Sequence, residues 1–272
     1  MSSPELLYLD LLKKCLTRSI FTDHSVVIPW GRHEQAAYGF VRNVFAPREV
    51  ELVTRGATDH EVRAEGGDWP LHAETMIGLR RLDNLQFCIE DVLRRSVPGD
   101  LIETGVWRGG ASIFMRAVLK AYGDMERSVW VADSFQGLPK PDVERYPADA
   151  GHDFSRFPHL SVSLDEVKAN FARYGLLDEQ VRFLPGWFRE TLPSAPIERL
   201  SILRLDGDLY ESTMDAFRSL YPKLEIGGYV IVDDYKSVPA CTQAVHNFRA
   251  EHRVTEPIQR TGQWGGFWRR CR

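Results

Sequence analysis

Asp100-Leu101-Ile102-Glu103-Thr104-Gly105-Val106-Trp107-Arg108-Gly109-Gly110 reads as a short apolar strand running into a glycine-rich turn, and the apolar stretch from 111 to 122 that follows reads as a helix. The glycines permit a tight turn that ligand atoms can approach, and the next helix offers its free N–H groups at its N-terminus. The spacing is E-x-G-x-x-x-G and not the G-x-G-x-x-G of a dinucleotide fold. A carboxylate at Glu103 would repel a pyrophosphate but could hold an ammonium group. A ligand with an amino-acid end and a nucleoside end therefore fits better than NAD, and a dehydrogenase is disfavoured.

Outward from this stretch the same alternation continues. Strands are expected at 100 to 105, 128 to 134, 181 to 186, 200 to 207 and 228 to 234, with helices at 164 to 174, 211 to 221 and 240 to 252. This is the pattern of an α/β fold with a doubly wound parallel sheet. The last piece, about 255 to 270, contains Trp264-Gly265-Gly266-Phe267-Trp268 and predicts a final antiparallel edge strand. Upstream, Met76, Leu79, Leu82, Leu85, Ile89, Val92 and Leu93 recur at helical spacing between Glu74 and about Arg95, and Val97-Pro98-Gly99 stops the run. Residues 20 to 70 are poorly periodic, broken by Pro29, Pro47, Gly66, Gly67 and Pro70, and read as loops, short helices and a mobile lid. Leu6, Leu7, Leu9, Leu11, Leu12 and Leu16, interrupted by Glu5, Asp10, Lys13 and Lys14, predict an amphipathic helix and not a signal segment. The division expected is a helical and lid extension at 1–73 followed by one large domain at 74–272.

Composition agrees with that outline. A chain of 272 residues, 43% apolar and 26% charged, can bury a substantial core in one α/β domain. A net charge of -4 provides no general attraction for nucleic acid or an anionic membrane. No stretch approaches the roughly 20 consecutive apolar residues of a membrane span. Cys15, Cys88, Cys241 and Cys271 lie far apart without C-x-x-C spacing, so neither a zinc knuckle nor a disulfide framework is suggested, and a reduced cytoplasmic setting is expected.

In a doubly wound sheet, the residues following successive strands meet in one crevice. Val129-Trp130-Val131-Ala132-Asp133-Ser134 ends in an acid suited to accept hydrogen bonds from two ribose hydroxyls, and Pro185-Gly186-Trp187 supplies a ring for an adenine pocket. Leu203-Arg204-Leu205-Asp206-Gly207-Asp208 and Val232-Asp233-Asp234 place four carboxylates on adjacent loops at the same edge. Carboxylates so crowded repel unless a cation sits among them, which points to a divalent, oxygen-loving metal. Arg204 is expected on the other face of the sheet or paired with an acid.

These motifs resemble S-adenosylmethionine-dependent methyltransferases, and more closely the macrocin O-methyltransferase family of sugar O-methyltransferases. The resemblance runs from Leu7-Tyr8-Leu9-Asp10 through Asp68-Trp69-Pro70, Thr75-Met76-Ile77-Gly78, the Glu103 to Gly110 turn and Ala132-Asp133-Ser134-Phe135. It continues in Leu205-Asp206-Gly207-Asp208-Leu209-Tyr210-Glu211-Ser212-Thr213 and Val232-Asp233-Asp234-Tyr235. It implies a Rossmann-like class I methyltransferase domain at 74–272 in which Thr75, Met76, Glu103, Thr104, Gly105, Val106, Trp107, Asp133, Ser134, Phe135, Gly137 and Ser163 surround S-adenosylmethionine, beside Gly186 and Trp187. It also implies magnesium on Asp206, Asp233 and Asp234, and a homodimer.

The expected reaction is methyl transfer to a sugar hydroxyl of a glycosylated small molecule. Asp206 or Asp208 would accept the hydroxyl proton, with His152, His159 and His246 as rival bases because imidazole titrates nearer neutrality. Of Trp30, Trp69, Trp107, Trp187, Trp264 and Trp268, the pair Trp69 and Trp107 flank the expected ligand loops. The competing readings are a catechol or phenol O-methyltransferase, an O-methyltransferase of a longer saccharide, and a non-catalytic nucleotide-binding protein.

Overall fold

Alternation along single strands decides which face each helix covers. A computed structural model describes residues 3–21, the backbone of 25–27 and 53–55, and residues 59–272. In chain order the elements are α1 (Pro4–Leu16), β1 (Ser25–Val27), β2 (Val53–Arg55), α2 (His60–Glu65), α3 (Gly78–Arg94), β3 (Asp100–Thr104), α4 (Gly110–Ala121), β4 (Val129–Asp133) and α5 (Leu164–Arg173). They continue as β5 (Val181–Pro185), α6 (Phe188–Thr191), β6 (Leu200–Leu205), α7 (Tyr210–Leu220), β7 (Leu224–Val232), α8 (Pro239–Glu251), β8 (Gln259–Thr261) and β9 (Gly265–Arg269).

Strands β3 to β9 form one seven-stranded sheet in the order β5-β4-β3-β6-β7-β9-β8, and β1 pairs with β2 separately. Leu101, Val129, Val131, Ile202, Ile231 and Phe267 face one apolar cluster with residues of α1, α3, α4 and α5. Their strand neighbours Ile102, Ala132, Leu203, Val230, Val232 and Trp268 face a second cluster with α7 and α8. Successive side chains on a strand point to opposite faces, so each strand feeds both cores, and each fully buried Leu or Ile contributes roughly 1.5–3 kcal/mol of transfer free energy. Leu9, Leu12 and Leu16 of α1 join the first cluster alongside Ile113 and Val118.

The expected doubly wound sheet is present, with two differences. Strand β9 pairs antiparallel with both β7 and β8, so it lies inside the sheet and β8 is the edge. A two-strand hairpin can reach β7 only through its second arm once that arm supplies Phe267 and Trp268 to the two cores. Helix α3 begins at Gly78 and not at Glu74. Gly78 has φ +74°, and a β-carbon there would stand 2.4 Å from the Gly66 nitrogen, so the chain before it is a loop braced against Gly66. Much of the lid expected at 20 to 70, and Trp30, lie outside the described residues. No helix among the described residues is long and apolar enough to cross a membrane. The four cysteines are free thiols.

The sheet register sets the crevice. Thr104 pairs with Leu205, and Leu205 with Val232. The next residues carry the ladder one step further: Gly105 N–H donates to Ala132 O, Asp206 N–H to Thr104 O and Asp233 N–H to Leu205 O, each at 2.9 Å. The loops after β3, β6 and β7 thus leave the sheet side by side. Because the chain runs from β3 to β4 on one flank and from β6 to β7 on the other, the first two loops diverge and open a groove between them.

Gly105 is where this arrangement tolerates no side chain. Its φ is +87°, and a β-carbon would fall 1.8 Å from the carbonyl oxygen of Asp206. Gly105→Ala combines left-handed strain with backbone overlap, so it is expected to cost on the order of 3 kcal/mol and to lower the thermal midpoint by several degrees. Thermal denaturation measures this; an unchanged midpoint would show that the two loops are not in contact.

Candidate active site

A cavity of about 650 Å³ opens at this edge of the sheet. Thr75, Met76, Glu103, Gly105, Val106 and Trp107 line it, as do Asp133, Ser134, Gly137, Gly186 and Trp187. Three other residues expected around the cofactor do not reach its wall. Thr104 is wholly buried in β3, its hydroxyl 3.4 Å from Arg204 O. Phe135 packs against Phe183 with ring centroids 6.4 Å apart, and Ser163 caps α5 by accepting the Glu166 N–H at 3.2 Å. Strand-end spacing identifies the loop but not which of its side chains turn inward.

Asp133 ties two ligand turns together. Its Oδ2 accepts the Val106 N–H at 2.8 Å and its Oδ1 the Phe135 N–H at 2.7 Å. The Ser134 hydroxyl stands a further 3.5 Å from Oδ1, and the carboxylate borders the cavity, where a ribose hydroxyl could meet it. Burial raises its pKa, and the donated N–H groups oppose that rise. The glycine turn without a β-carbon at 105, the carboxylate at 133 and the ring of Trp187 on the wall suit an adenosyl group.

Beside this turn lies a network of acids and arginines. Arg204, 1% exposed, donates from Nη1 to Glu103 Oε1 and to Asp206 Oδ2, each at 2.7 Å, and from Nη2 to Asp233 Oδ1. Arg81 on α3 donates from Nη1 to Asp233 Oδ2 and from Nε to Ile77 O at 2.7 Å. Of the two orientations open to Arg204, the structure adopts the paired one. Glu103 is taken up by Arg204 and by the Ser112 hydroxyl. Burial, with Asp206 and Asp233 nearby, pushes its pKa up to about 7 against the pull of Arg204.

One oxygen each of Asp206, Asp233 and Asp234 lies within 4.8 Å of the others. Among the described residues, five carboxyls, Glu103, Asp206, Asp208, Asp233 and Asp234, share the two guanidiniums of Arg81 and Arg204, which leaves three negative charges unmatched there if all ionise. Burial and the neighbouring acids accordingly push Asp208 up to about 8, and raise Asp234 well above the carboxylate range. Asp234 Oδ1 accepts from the Ser237 hydroxyl at 3.0 Å, while its buried Oδ2 has no hydrogen-bond partner. An orphaned carboxylate oxygen beside surplus negative charge fits a divalent, oxygen-ligated cation.

Of the rival bases, only His159 lines the cavity; its ring lies 5.6 Å from that of Trp69, and Trp107 Nε1 donates to its carbonyl at 2.8 Å. His152 is off the wall, and His246 is 3.2 Å from the Tyr235 hydroxyl. Trp69, Trp107, Trp187 and Trp264 line the cavity, whereas Trp268 is core. Arg81 was invisible in the sequence, since its partner lies 152 residues away. Arg204 did carry a signal: a charge inside an apolar strand demands a buried partner.

The chain matches the family model described as macrocin-O-methyltransferase (TylF) over residues 5–270. It is 51% identical over 266 residues to the 8-demethyl-8-(2,3-dimethoxy-alpha-L-rhamnosyl)-tetracenomycin-C 4'-O-methyltransferase of Streptomyces olivaceus, covering 97% of this chain and 92% of that one. It is 48% identical to the mycinamicin III 3''-O-methyltransferase of Micromonospora griseorubida, over 97% of this chain and 96% of that one. Among solved structures, the O-methyltransferase NovP superposes with a TM-score of 0.86 at 46% identity, covering 98% of this chain and 100% of that one.

The network predicts an unusual dependence of stability on pH. Glu103 has its folded pKa raised from 4.5 to about 7, so between those values the native state binds more protons than the unfolded chain. Stability of the metal-free protein should therefore rise as pH falls from about 7 toward 4.5, for this group. Asp178, held below its ordinary 3.8 by the Arg116 hydrogen bond, works in the opposite direction at lower pH. Urea denaturation across this range should show the rise, and Glu103→Gln should make it shallower, leaving the part that Asp208 and Asp234 contribute. A wild-type profile identical to that of the variant would overturn the assignment.

Proposed function

The chain belongs to the macrocin-O-methyltransferase family and is an S-adenosylmethionine-dependent O-methyltransferase; from that premise we propose that it methylates a sugar hydroxyl of a small-molecule glycoside, with a divalent cation, magnesium by resemblance, at the acid cluster. The observation that carries this reading is the unmatched acid surplus, with the orphaned Asp234 Oδ2, against the same cavity as the Gly105 turn.

Methyl transfer from a sulfonium to an alcohol is a direct displacement: the oxygen–carbon bond forms as the carbon–sulfur bond breaks, the sulfonium leaves as a neutral thioether, and the hydroxyl proton must go to a base. The turn at 105–107 and the carboxylate of Asp133 would hold the adenosyl group, with Trp187 available on the same wall. Asp206 and Asp234 would hold the cation, with Asp233, whose oxygens are shared by Arg81 and Arg204, as the third acid of the cluster. Bound there, the cation would supply positive charge that lowers the pKa of the acceptor hydroxyl. Asp206 is engaged through Oδ2 with Arg204, so Asp208, ionised once a cation offsets the acids that raise its pKa, would take the proton. Fixing the acceptor oxygen in line with the methyl group supplies several kcal/mol of the acceleration.

The names of these relatives give a rhamnosyl tetracenomycin and mycinamicin III as acceptors, which supports a glycoside of a secondary metabolite here. The homodimer and the cytoplasmic setting belong to the same proposal; the first rests on the family resemblance and the second on four cysteines that form no disulfide.

The test is transfer of a labelled methyl group to a panel containing mycinamicin III, the demethylated tetracenomycin rhamnoside and catechol, with and without EDTA. Turnover of at least one glycoside is expected. EDTA should lower it by about a hundredfold or more, in line with several kcal/mol of charge stabilisation, and magnesium should restore it. Asp206→Asn and Asp234→Asn should lose turnover while binding S-adenosylhomocysteine normally. Methylation of catechol alone would remove the sugar assignment; activity indifferent to EDTA would remove the cation.

A further inference from the structure

Asp149 has no exposed surface and sits in a 3-10 turn, Pro147–Asp149, within the long excursion between β4 and α5. Its Oδ1 accepts the Tyr210 N–H at 2.6 Å and its Oδ2 the Glu211 N–H at 3.2 Å. These are the first two residues of α7, whose N-cap position is Leu209 and which has no side-chain cap of its own. The first N–H groups of a helix lack intrahelical partners, and an apolar residue at the cap leaves them unsatisfied. Asp149 supplies the missing cap from 61 residues away in sequence, and its negative charge meets the positive end of the helix dipole.

What this cap holds is the turn between Asp206 and α7. Asp208 has φ +56°, a left-handed backbone that a residue with a side chain adopts only when its surroundings impose it. On one side the Asp206 N–H is fixed to Thr104 O at 2.9 Å. On the other, α7 is fixed by Asp149. Glu211 and Asp215 on the first turns of α7 line the cavity, as do Leu138, Pro139, Phe154 and Phe157 from the excursion. The rings of Tyr146 and Tyr210, 6.1 Å apart, make a second contact between the two segments.

We propose that Asp149 is a positioning residue: by capping α7 in trans it sets Asp208 and Glu211 in the cavity and couples their placement to that of the 134–163 excursion, so that the two acceptor-side walls form and loosen together. The kinetic part of the claim rests on the methyl-transfer reading above; the coupling does not.

The test uses the full chain bearing Asp149→Ala or Asp149→Asn, with S-adenosylhomocysteine present, and measures amide hydrogen exchange residue by residue. In Asp149→Ala, exchange should quicken about tenfold or more at Tyr210 and Glu211 and across 142–157 together, while the amides of α4, β3 and the 134–137 turn stay protected. Asp149→Asn, which keeps one acceptor oxygen, should fall between the variant and the wild type, and it decides the matter if the alanine variant fails to fold. Affinity for S-adenosylhomocysteine, measured by calorimetry, should be unchanged. With any glycoside that the wild type turns over, kcat should drop about tenfold and KM for S-adenosylmethionine should stay the same. Quickening confined to 210–211 with the excursion unaffected, or a loss of cofactor affinity, would overturn the proposal. Absence of turnover in the wild type would count against the acceptor assignment and leave the exchange result decisive.

Discussion

The guanidinium of Arg204 holds the working edge of the sheet together. It is buried between the ends of β3, β6 and β7 and binds one acid at each end: Glu103 within β3, Asp206 just after β6 and Asp233 just after β7. Burial alone pulls the arginine toward deprotonation, but the three carboxylates outweigh it and hold the charge in place. The converse also holds. Taking several carboxylates out of water on neighbouring strands is costly unless a buried cation offsets them, and the planar guanidinium directs its N–H bonds to three acids in a fixed fork.

From this constraint the rest of the site follows. Glu103 begins the turn that leads into α4, and it is anchored by Arg204 on one oxygen and by Ser112 of α4 on the other. The cofactor turn and the acid cluster are therefore parts of one bonded unit. Arg81 extends the unit to α3, just after the Thr75–Met76 loop on the cavity wall. Two arginines do not neutralise five acids, and the residue of unmatched charge is a cost that the two apolar cores must bear. Sites of this kind commonly trade stability for a chemically useful field.

The strands and helices were legible because each carries its own period: the alternation in Leu203-Arg204-Leu205 and Tyr229-Val230-Ile231-Val232, and the helical spacing of Leu82, Leu85, Ile89 and Val92. The acid cluster was legible because each aspartate follows an apolar strand by one to three residues, and register alone brings such positions together. The internal place of β9 was not, since periodicity identifies a strand but not its neighbours. Nor was the role of Asp149, which lies in an irregular stretch where no pattern exists to read. The rivals His152 and His246 looked equal to His159 until their positions relative to the cavity were known.

Local sequence thus determined the order of elements, the glycine turn that Gly105 alone can make and the crowding of carboxylates at one edge, because these depend on neighbours in the chain. Tertiary structure alone decided which acids are matched: Arg81 reaches Asp233 across 152 residues and Arg204 reaches Glu103 across 101. The same holds for which oxygen is left over at Asp234 and which carboxylate caps α7. Charge pairing in a buried site depends on distance and on exclusion of water, and both are properties of the folded chain that no linear spacing expresses.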